Sequence, residues 1–199
     1  MANLGQTDLD VHPLCLGGNV FGWTADRDAS FAVLDAYAAA GGNFIDTAAG
    51  YSAWVPGNQG GESETIIGEW FAARGNRDDI VVATKIKDDL TPDSVRRRAQ
   101  ESAQRLQTDV IDLFYIHYDD VDRPLEEILA GFDALVQEGL VRYNAFSNIT
   151  PERLREALAI IEREGYAPFV AWQPEYNLME RATFESQQRP VAEEAGLAV

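Results

Sequence analysis

Val110–His117 (VIDLFYIH) is a short apolar run of the kind that forms a strand buried on both faces. It is followed by Pro124–Gln137, where apolar side chains recur at helical spacing, and Gly139 then marks a helix end. A second apolar run, Leu140–Asn148 (LVRYNAFSN), comes next. Because two adjacent strands joined by such a helix run in the same direction, residues 110–148 predict a parallel sheet.

The same alternation extends along the rest of the chain. Three further strand candidates are Asn43–Asp46 (NFID), Asp79–Lys85 (DIVVATK) and Pro168–Trp172 (PFVAW). Helices are predicted over Ala29–Ala40 and Glu62–Ala73, after Thr91-Pro92-Asp93 and Thr150-Pro151-Glu152, and over Arg181–Ala195. The strands recur about every 30 residues, which is the size of one strand–helix unit.

A repeated strand–helix unit forms either an open doubly wound sheet or a (β/α)8 barrel. A doubly wound sheet that binds dinucleotides carries G-x-G-x-x-G after its first strand. Here Gly17-Gly18-Asn19 leads instead into Val-Phe-Gly, and the chain contains no such motif. We therefore expect an α/β fold of the (β/α)8 barrel type.

Composition limits the partners of such a chain. Its 199 residues, 46% of them hydrophobic, suffice for one core. A net charge of −17 disfavours nucleic acids and anionic membrane surfaces. There is no apolar run of membrane-spanning length and no apolar leader, and the single Cys15 allows no internal disulfide. These features predict a cytoplasmic protein in which Cys15 is a small buried residue.

Polar residues end five of the predicted strands, and in a barrel the catalytic groups lie at these carboxyl ends. They are Asp46 (with Tyr51 five residues on), Lys85, His117, Ser147-Asn148 and Gln173. Lys85 follows an apolar strand, so its ammonium needs a carboxylate, and Asp46 on the next strand is the natural partner. A cation beside Tyr51 is expected to lower the pKa of the phenol and make it a proton donor near neutrality. His117 is placed to hold and polarise a carbonyl oxygen.

Each of these residues also has an ordinary structural interpretation. A strand-end aspartate such as Asp46 often caps the following loop, and Tyr51 is compatible with a half-buried aromatic position. A lone His117 is more often a hydrogen-bonded core residue than a catalyst. Their joint position on three consecutive strand ends nevertheless favours a catalytic site.

Two other kinds of site stay open from the residues alone. A barrel hydrolase would use paired carboxylates such as Asp46 and Glu175, but it leaves Lys85 without a role. A metal site is possible by ligand type at the loop that follows the fourth strand; its ligands would be His117, Asp119 and Asp120. Clustered acids in such a loop are more typical of a solvated lead-in to a helix.

Taken in order, the motifs resemble those of the aldo-keto reductase family along essentially the whole chain. The matching stretches are Leu4-Gly5-Gln6-Thr7, Leu16-Gly17-Gly18, Asn43–Tyr51 (NFIDTAAGY), Gly60–Glu64 (GGESE), Ile67-Gly68, Thr84-Lys85, Asp112–His117 (DLFYIH), Gly139–Tyr143 (GLVRY), Ser147-Asn148, Gln173 and Tyr176-Asn177. The resemblance implies an NAD(P)H-dependent oxidoreductase that reduces aldehydes or ketones to alcohols by hydride transfer. NADP(H) is the cofactor that the family prefers, with NAD(H) the less favoured choice.

The resemblance also implies roles for individual residues. Tyr51 would be the general acid, Asp46 and Lys85 would tune it, and His117 would orient the carbonyl. The residues implied in cofactor binding are Gly18, Asn19, Asp46, Ser147, Asn148 and Gln173. The last three of these would hold the nicotinamide carboxamide, and the first two would lie beside the nicotinamide ribose. Two loop aromatics, Trp23 and Trp54, are candidate walls of the substrate pocket.

The chain departs from the family pattern at three places. Ala145 stands where the family usually has glycine before Ser147, and its methyl group is expected to crowd that approach. Tyr118-Asp119-Asp120 follows His117 where the family often has an apolar or proline-containing turn. Only six strands are counted from Leu14, with a seventh beginning at Gly196–Val199.

The strand count predicts that residues 1–199 form a single barrel domain that is truncated before strands seven and eight. The seventh strand's aromatic residue and the segment that grips the cofactor phosphates and adenine are then missing. Such an unclosed sheet exposes two edges, which favours self-association. The alternative function is therefore a catalytically inactive fragment, or a module that works only with a partner supplying the missing strands.

Overall fold

A computed structural model describes all residues from Met1 to Val199. The strands are β1 (Ala2–Asn3), β2 (Asp10–Val11), β3 (Leu16–Gly17), β4 (Phe44–Asp46), β5 (Val81–Ile86), β6 (Ile111–Ile116), β7 (Val141–Ser147) and β8 (Phe169–Gln173). The helices are α1 (Arg27–Ala39), α2 (Glu62–Arg74), α3 (Pro92–Arg105), α4 (Leu125–Gln137), α5 (Pro151–Glu164) and α6 (Arg189–Ala195). A 3₁₀ turn at Arg77–Asp79 and a π-helical segment at Phe184–Gln188 complete the secondary structure.

Strands β3 to β8 form one curled parallel sheet in chain order, and β1 and β2 form a separate antiparallel hairpin. A further backbone bridge joins Ala198 to Ala171 on β8, with Trp172 N donating to Ala198 O at 2.8 Å. The predicted fold is therefore confirmed: the sheet is six strand–helix units of a (β/α)8 barrel preceded by a hairpin.

The helix ends follow the local sequence. Thr91 and Thr150 cap α3 and α5 through their side chains, with a proline at the start of each helix, as predicted. The last helix is different, because the predicted Arg181–Ala195 helix contains the π-helical segment before α6. Pro190 explains the difference: it has no N–H to donate, and its ring would clash with the preceding turn of a regular α-helix.

Alternating side chains of each strand pack on two layers. The outer face of the sheet meets the helices through an aromatic cluster in which Phe146 stacks on Phe169 with ring centroids 4.1 Å apart. The inner face forms a second cluster, to which the hairpin contributes Leu9 and Val11. Because both faces are covered, β5 and β6 are buried along their whole length, as continuous apolar runs predict.

Two ends of the sheet have different surroundings. The hairpin lies at the amino ends of the strands, where Asn43 Oδ1, just before β4, accepts from His12 N at 2.7 Å. The carboxyl ends are left open for the loops that carry the candidate site.

The prediction for Cys15 is wrong, because this residue is exposed. It directly precedes β3, which is an edge strand with no neighbour on one side.

No helix has the length and apolar character needed to cross a bilayer.

Candidate active site

Lys85 is the centre of the candidate site. Its side chain is fully buried on β5, and its Nζ lies 2.6 Å from Asp46 Oδ2, 2.8 Å from Thr47 O and 2.9 Å from Tyr51 Oη. An ammonium group has three hydrogens to donate, so these three oxygens satisfy it completely. The structure thus brings Asp46, Lys85 and Tyr51 into one hydrogen-bonded chain.

The electrostatic balance in this chain keeps the proton on Tyr51. Burial raises the pKa of the Tyr51 phenol, and this outweighs the opposite effect of Lys85. The predicted fall of the Tyr51 pKa is therefore wrong in its net direction, although Lys85 itself acts as expected. For Lys85, burial alone lowers the pKa, but Asp46 and Tyr51 more than compensate and its pKa is raised. The phenol and the ammonium are both protonated at neutral pH.

His117 stands directly after β6, with its ring edge-on to the Tyr51 ring at a centroid distance of 5.9 Å. Burial, together with the positive charges of Lys85 and Lys87, lowers the pKa of His117 to about 4, so the ring is neutral near pH 7. Its buried Nδ1 has no hydrogen-bond partner. A neutral imidazole carries one hydrogen, and the absence of an acceptor at Nδ1 favours the tautomer with that hydrogen on Nε2.

The three residues predicted for the carboxamide lie together at the ends of β7 and β8. Ser147 pairs with Gln173 in the sheet register, and its Oγ donates to Gln173 O at 2.8 Å. Asn148 Nδ2 donates to Ser147 Oγ at 3.0 Å and to His117 O at 2.8 Å, which ties this group to the Tyr51 side of the site. The side-chain amide of Gln173 makes no hydrogen bond within the protein and is free for a ligand.

Gly18 needs to be glycine because of its neighbours. Its N–H donates to Asp46 O at 2.8 Å, and its own carbonyl accepts from Ser63 Oγ at 2.7 Å. A Cβ at Gly18 would lie 2.9 Å from Ser63 Oγ, which is closer than such contacts occur. The next residue, Asn19, is exposed. This turn therefore lies beside the Asp46 strand end, while its contact with a cofactor ribose stays a prediction.

Behind the site lies a buried charge pair that the sequence pattern does not predict. Glu64 on α2 is fully buried; it accepts from Thr84 Oγ1 at 2.5 Å and from Arg105 Nε at 2.6 Å. Thr84 directly precedes Lys85, so Glu64 fixes the strand that carries the ammonium. Gly68 lets α2 approach α3 closely enough for this contact, because a side chain there would collide with α3: its Cβ would lie 2.1 Å from Arg105 O. The stretch Gly60–Glu64 was the available signal, but its partners lie far along the chain.

Trp23 and Trp54 form an exposed aromatic pair at the same end of the sheet. Their rings meet edge to face at 5.5 Å, and each residue is about half exposed. The two loops are joined by Ser52 Oγ, which donates to Phe21 O at 2.8 Å, and by Asn58 Nδ2, which donates to Gly22 O at 2.9 Å. The Trp54 loop also carries Tyr51, so the aromatic pair adjoins the candidate proton donor.

The alternative sites receive no support from the geometry. Asp119 is paired with Arg153, and Asp120 with Arg123 at 3.3 Å, so neither carboxylate is available to a metal. No group of three His, Cys, Asp or Glu side chains is arranged as a metal site. Asp46 faces the Lys85 ammonium rather than a second carboxylate, which is not the pairing that a glycoside hydrolase requires.

Ala145, the residue in place of the family's glycine, is buried in the inner cluster of the sheet. The pairing of β7 with β8 shifts register between Asn144 and Ala145. The preceding Asn144 is fully buried, and its Nδ2 donates to Phe132 O at 3.0 Å. The methyl group therefore has a place in the inner core, while its expected effect on a ligand stays a prediction.

The chain is similar to several known proteins. A model of the Aldo/keto reductase family matches residues 13–199. A protein of Pseudescherichia vulneris, an uncharacterized 11.2 kDa protein in the crtE 3′ region, is 57% identical over 91 residues, covering 45% of this chain and 88% of that protein. The uncharacterized oxidoreductase YrpG of Bacillus subtilis (strain 168) is 36% identical over 98% of this chain and 63% of its own length.

A fungal relative has about the same sequence identity to this chain as YrpG has. The aryl-alcohol dehydrogenase [NADP(+)] of Phanerodontia chrysosporium is 35% identical over 96% of this chain and 54% of its own length. The chain thus spans between about half and two thirds of these two longer relatives. The family match covers nearly every described element, from before β3 to the last residue. The chain therefore belongs to the aldo/keto reductase family.

Proposed function

We propose that this chain reduces aldehydes or ketones to alcohols with NADP(H), or less favourably NAD(H), and that Tyr51 donates the proton. The observation that carries the proposal is the buried hydrogen-bonded chain from Asp46 through Lys85 to Tyr51, with neutral His117 beside it. Ionisable groups that are buried together at the carboxyl ends of parallel strands are typical of catalytic sites.

The proposed roles follow from the protonation states. Tyr51 holds its proton at neutral pH and releases it to the carbonyl oxygen as negative charge develops there. The phenolate left behind is stabilised by the Lys85 ammonium at 2.9 Å, which Asp46 keeps charged. The neutral His117 ring donates its Nε2 hydrogen to the same oxygen and so orients the carbonyl. Together these groups stabilise the negative charge of the transition state. Lys85 supplies the positive charge, and the His117 ring stays neutral.

The residues present also fit a nicotinamide cofactor. An amide ligand offers both donors and acceptors, and the free amide of Gln173 beside Ser147 and Asn148 can satisfy both. Asp46 Oδ1 is buried without a partner, so it is an acceptor available to a sugar hydroxyl. A nicotinamide dinucleotide held there would supply the hydride. NADP(H) is preferred by family resemblance, and the similar fungal enzyme carries NADP(+) in its name.

The direct test is the rate of aldehyde-dependent NADPH oxidation by the Tyr51→Phe variant. Loss of the phenolic hydroxyl is expected to lower kcat by roughly 10²–10⁴-fold, the usual contribution of a positioned acid. Tyr166→Phe is the matched control, because Tyr166 packs on the outer side of the sheet and lies away from Lys85. An unchanged rate in Tyr51→Phe would show that another group delivers the proton.

A second candidate function follows from the open sheet. β3 and β8 are the edge strands, and β8 is bridged on its outer side only by Ala198. Exposed strand edges pair readily with other chains, so the protein would then act with a partner or a second copy rather than alone. Fluorescence titration with NADPH separates the two candidates. Tight binding by the isolated 199-residue protein contradicts the second, whereas binding that requires a higher-order assembly, detected by sedimentation, supports it.

A further inference from the structure

Lys87 stands at the rim of the candidate site, and none of the roles above uses it. It directly follows β5, and across the sheet His117 N donates to Ile86 O at 2.7 Å, so the loops that start at Lys87 and His117 are neighbours. The Lys87 side chain passes over the Tyr51 loop: its Cε lies 3.6 Å from the position of a Cβ on Gly50. Its Nζ lies 5.9 Å from the centre of the Tyr118 ring.

Lys87 is a positive charge without a counter-ion. The chain has only two lysines, and Lys85 is paired with Asp46 while Lys87 forms no ion pair. This is unexpected in a chain of net charge −17, where acidic residues outnumber basic ones by two to one. Lys87 is half-buried, so its charge is less screened by water than that of a fully exposed lysine.

The loop that presents Lys87 is held in one conformation. Asp88 and Asp89 have left-handed backbones, with φ of 61° and 43°, a conformation that Asp adopts more readily than most residues other than glycine. The guanidinium of Arg98 on α3 donates to the carbonyl oxygens of both Lys87 and Asp88, the latter at 2.6 Å. These two hydrogen bonds hold the loop that presents Lys87.

The neighbours of Lys87 limit the kind of ligand. The Tyr118 ring lies between Lys87 and His117, with a centroid distance of 4.9 Å to the His117 ring. The exposed Trp23–Trp54 pair adjoins the Tyr51 loop on another side. A substrate whose carbonyl reaches Tyr51 and His117 therefore extends past aromatic surfaces toward an unpaired ammonium.

We infer that Lys87 is a specificity-determining residue that selects carbonyl substrates bearing a carboxylate on an aromatic ring, an inference that rests on the proposed reductase function. The carbonyl oxygen binds at Tyr51 and His117, and the carboxylate forms a charge-assisted contact with Lys87 Nζ. The aromatic rings at the rim cover the body of the substrate.

The test compares two aldehydes that differ in one group: para-carboxybenzaldehyde and para-tolualdehyde. For the wild-type protein, kcat/KM is expected to be about two- to fivefold higher for the carboxylate, as for a partly exposed charge pair. Lys87→Met should bring this ratio close to one, and Lys87→Arg should restore it. Arg155→Met, which removes an exposed arginine without an ion pair on α5, should keep the wild-type ratio. Added salt should compress the wild-type ratio.

A binding measurement separates this inference from the proposed function. The corresponding benzyl alcohols are titrated without cofactor by ligand-observed NMR, with wild-type protein and with Lys87→Met. Tighter binding of the carboxylated alcohol that is lost in Lys87→Met supports the inference even if neither aldehyde is reduced, which would overturn the reductase proposal alone. A wild-type ratio near one, a ratio unchanged in Lys87→Met, or equal binding by both proteins overturns the inference.

Discussion

Both ends of the parallel sheet bury a carboxylate against cations, but only the carboxylate at the carboxyl end keeps an oxygen without a hydrogen-bond partner. At the amino end, Asp112 accepts from Arg77 at 2.7 Å, from Arg142 at 3.0 Å and from Val82 N at 3.0 Å. Arg142 is also paired with Asp8 of the hairpin loop at 2.9 Å. Both carboxylate oxygens of Asp112 are thus occupied, and this cluster locks the hairpin onto the sheet.

The carboxyl end is organised differently. Asp46 Oδ1 and His117 Nδ1 are buried without partners, and the side chains of Gln173 and Lys87 are free. A cavity of about 790 Å³ lies at the amino end, and Arg77 and Arg142 in its wall are both paired with Asp112. The comparison teaches that an unused oxygen on a buried carboxylate, rather than the volume of a cavity, distinguishes the proposed reactive end of this sheet.

The largest effect is expected from breaking the carboxyl-end chain at its centre. Lys85→Met leaves Asp46 buried without its cation, so the free energy of unfolding should fall by about 3–5 kcal/mol. The proton-transfer step should be lost at the same time, since the Tyr51 phenolate loses its stabilising charge. Urea unfolding followed by tryptophan fluorescence measures the first effect, and NADPH oxidation the second. Unchanged stability would mean that the Asp46–Lys85 pair is solvated rather than buried.

At the amino end, the prediction separates stability from activity. Asp112→Asn removes the charge that two arginines share, and the free energy of unfolding should fall by about 2 kcal/mol. The rate of carbonyl reduction per folded molecule should stay at the wild-type value, because Asp112 lies at the opposite end of β6 from His117. Asp8→Asn, which removes only the exposed partner of Arg142, is the milder control. A fall in rate at full stability would contradict the separation of the two ends.

The third prediction concerns the pH dependence of stability. The pKa of His117 is about 4 in the folded protein, below its ordinary value of 6.5, so the unfolded chain takes up the proton first as the pH falls. The contribution of His117 to stability is therefore complete above pH 6.5 and is lost as the pH falls toward 4.

His117→Gln should flatten the dependence of the unfolding free energy on pH in that window, relative to wild type. His12→Gln, at the other histidine of the chain, serves as the matched variant. Urea titrations at several pH values give the difference between the curves. Parallel curves for wild type and His117→Gln would show that the His117 ring is hydrated in the folded state.

Much of this arrangement could be predicted from the sequence because it depends on local pattern. Continuous apolar runs located the strands, Thr-Pro pairs located two helix starts, and the cost of burying Lys85 indicated Asp46 as its partner. The net direction of the Tyr51 pKa could not be obtained in this way, because it depends on how far burial outweighs one nearby charge. The exposure of Cys15 depends on β3 being an edge strand, which local pattern does not show.

Contacts between elements that are far apart in the chain also could not be predicted from the sequence. Glu64 on α2 accepts hydrogen bonds from Arg105 on α3 and from Thr84 on β5. This group therefore depends on how three separate segments pack together. The Asp112 cluster likewise joins the hairpin loop to β6 and β7. Residues of this kind follow from the packing of elements, whereas strand-end residues follow from the pattern of a single element.

The central claim is that the carboxyl end performs the chemistry, whereas the amino end contributes to stability alone. The most direct test measures NADPH oxidation and unfolding free energy side by side for Tyr51→Phe and Asp112→Asn. The account predicts a roughly 10²–10⁴-fold loss of kcat for Tyr51→Phe with little loss of stability, and the reverse pattern for Asp112→Asn. Equal losses of rate in the two variants, or a Tyr51→Phe protein as fast as wild type, would contradict it.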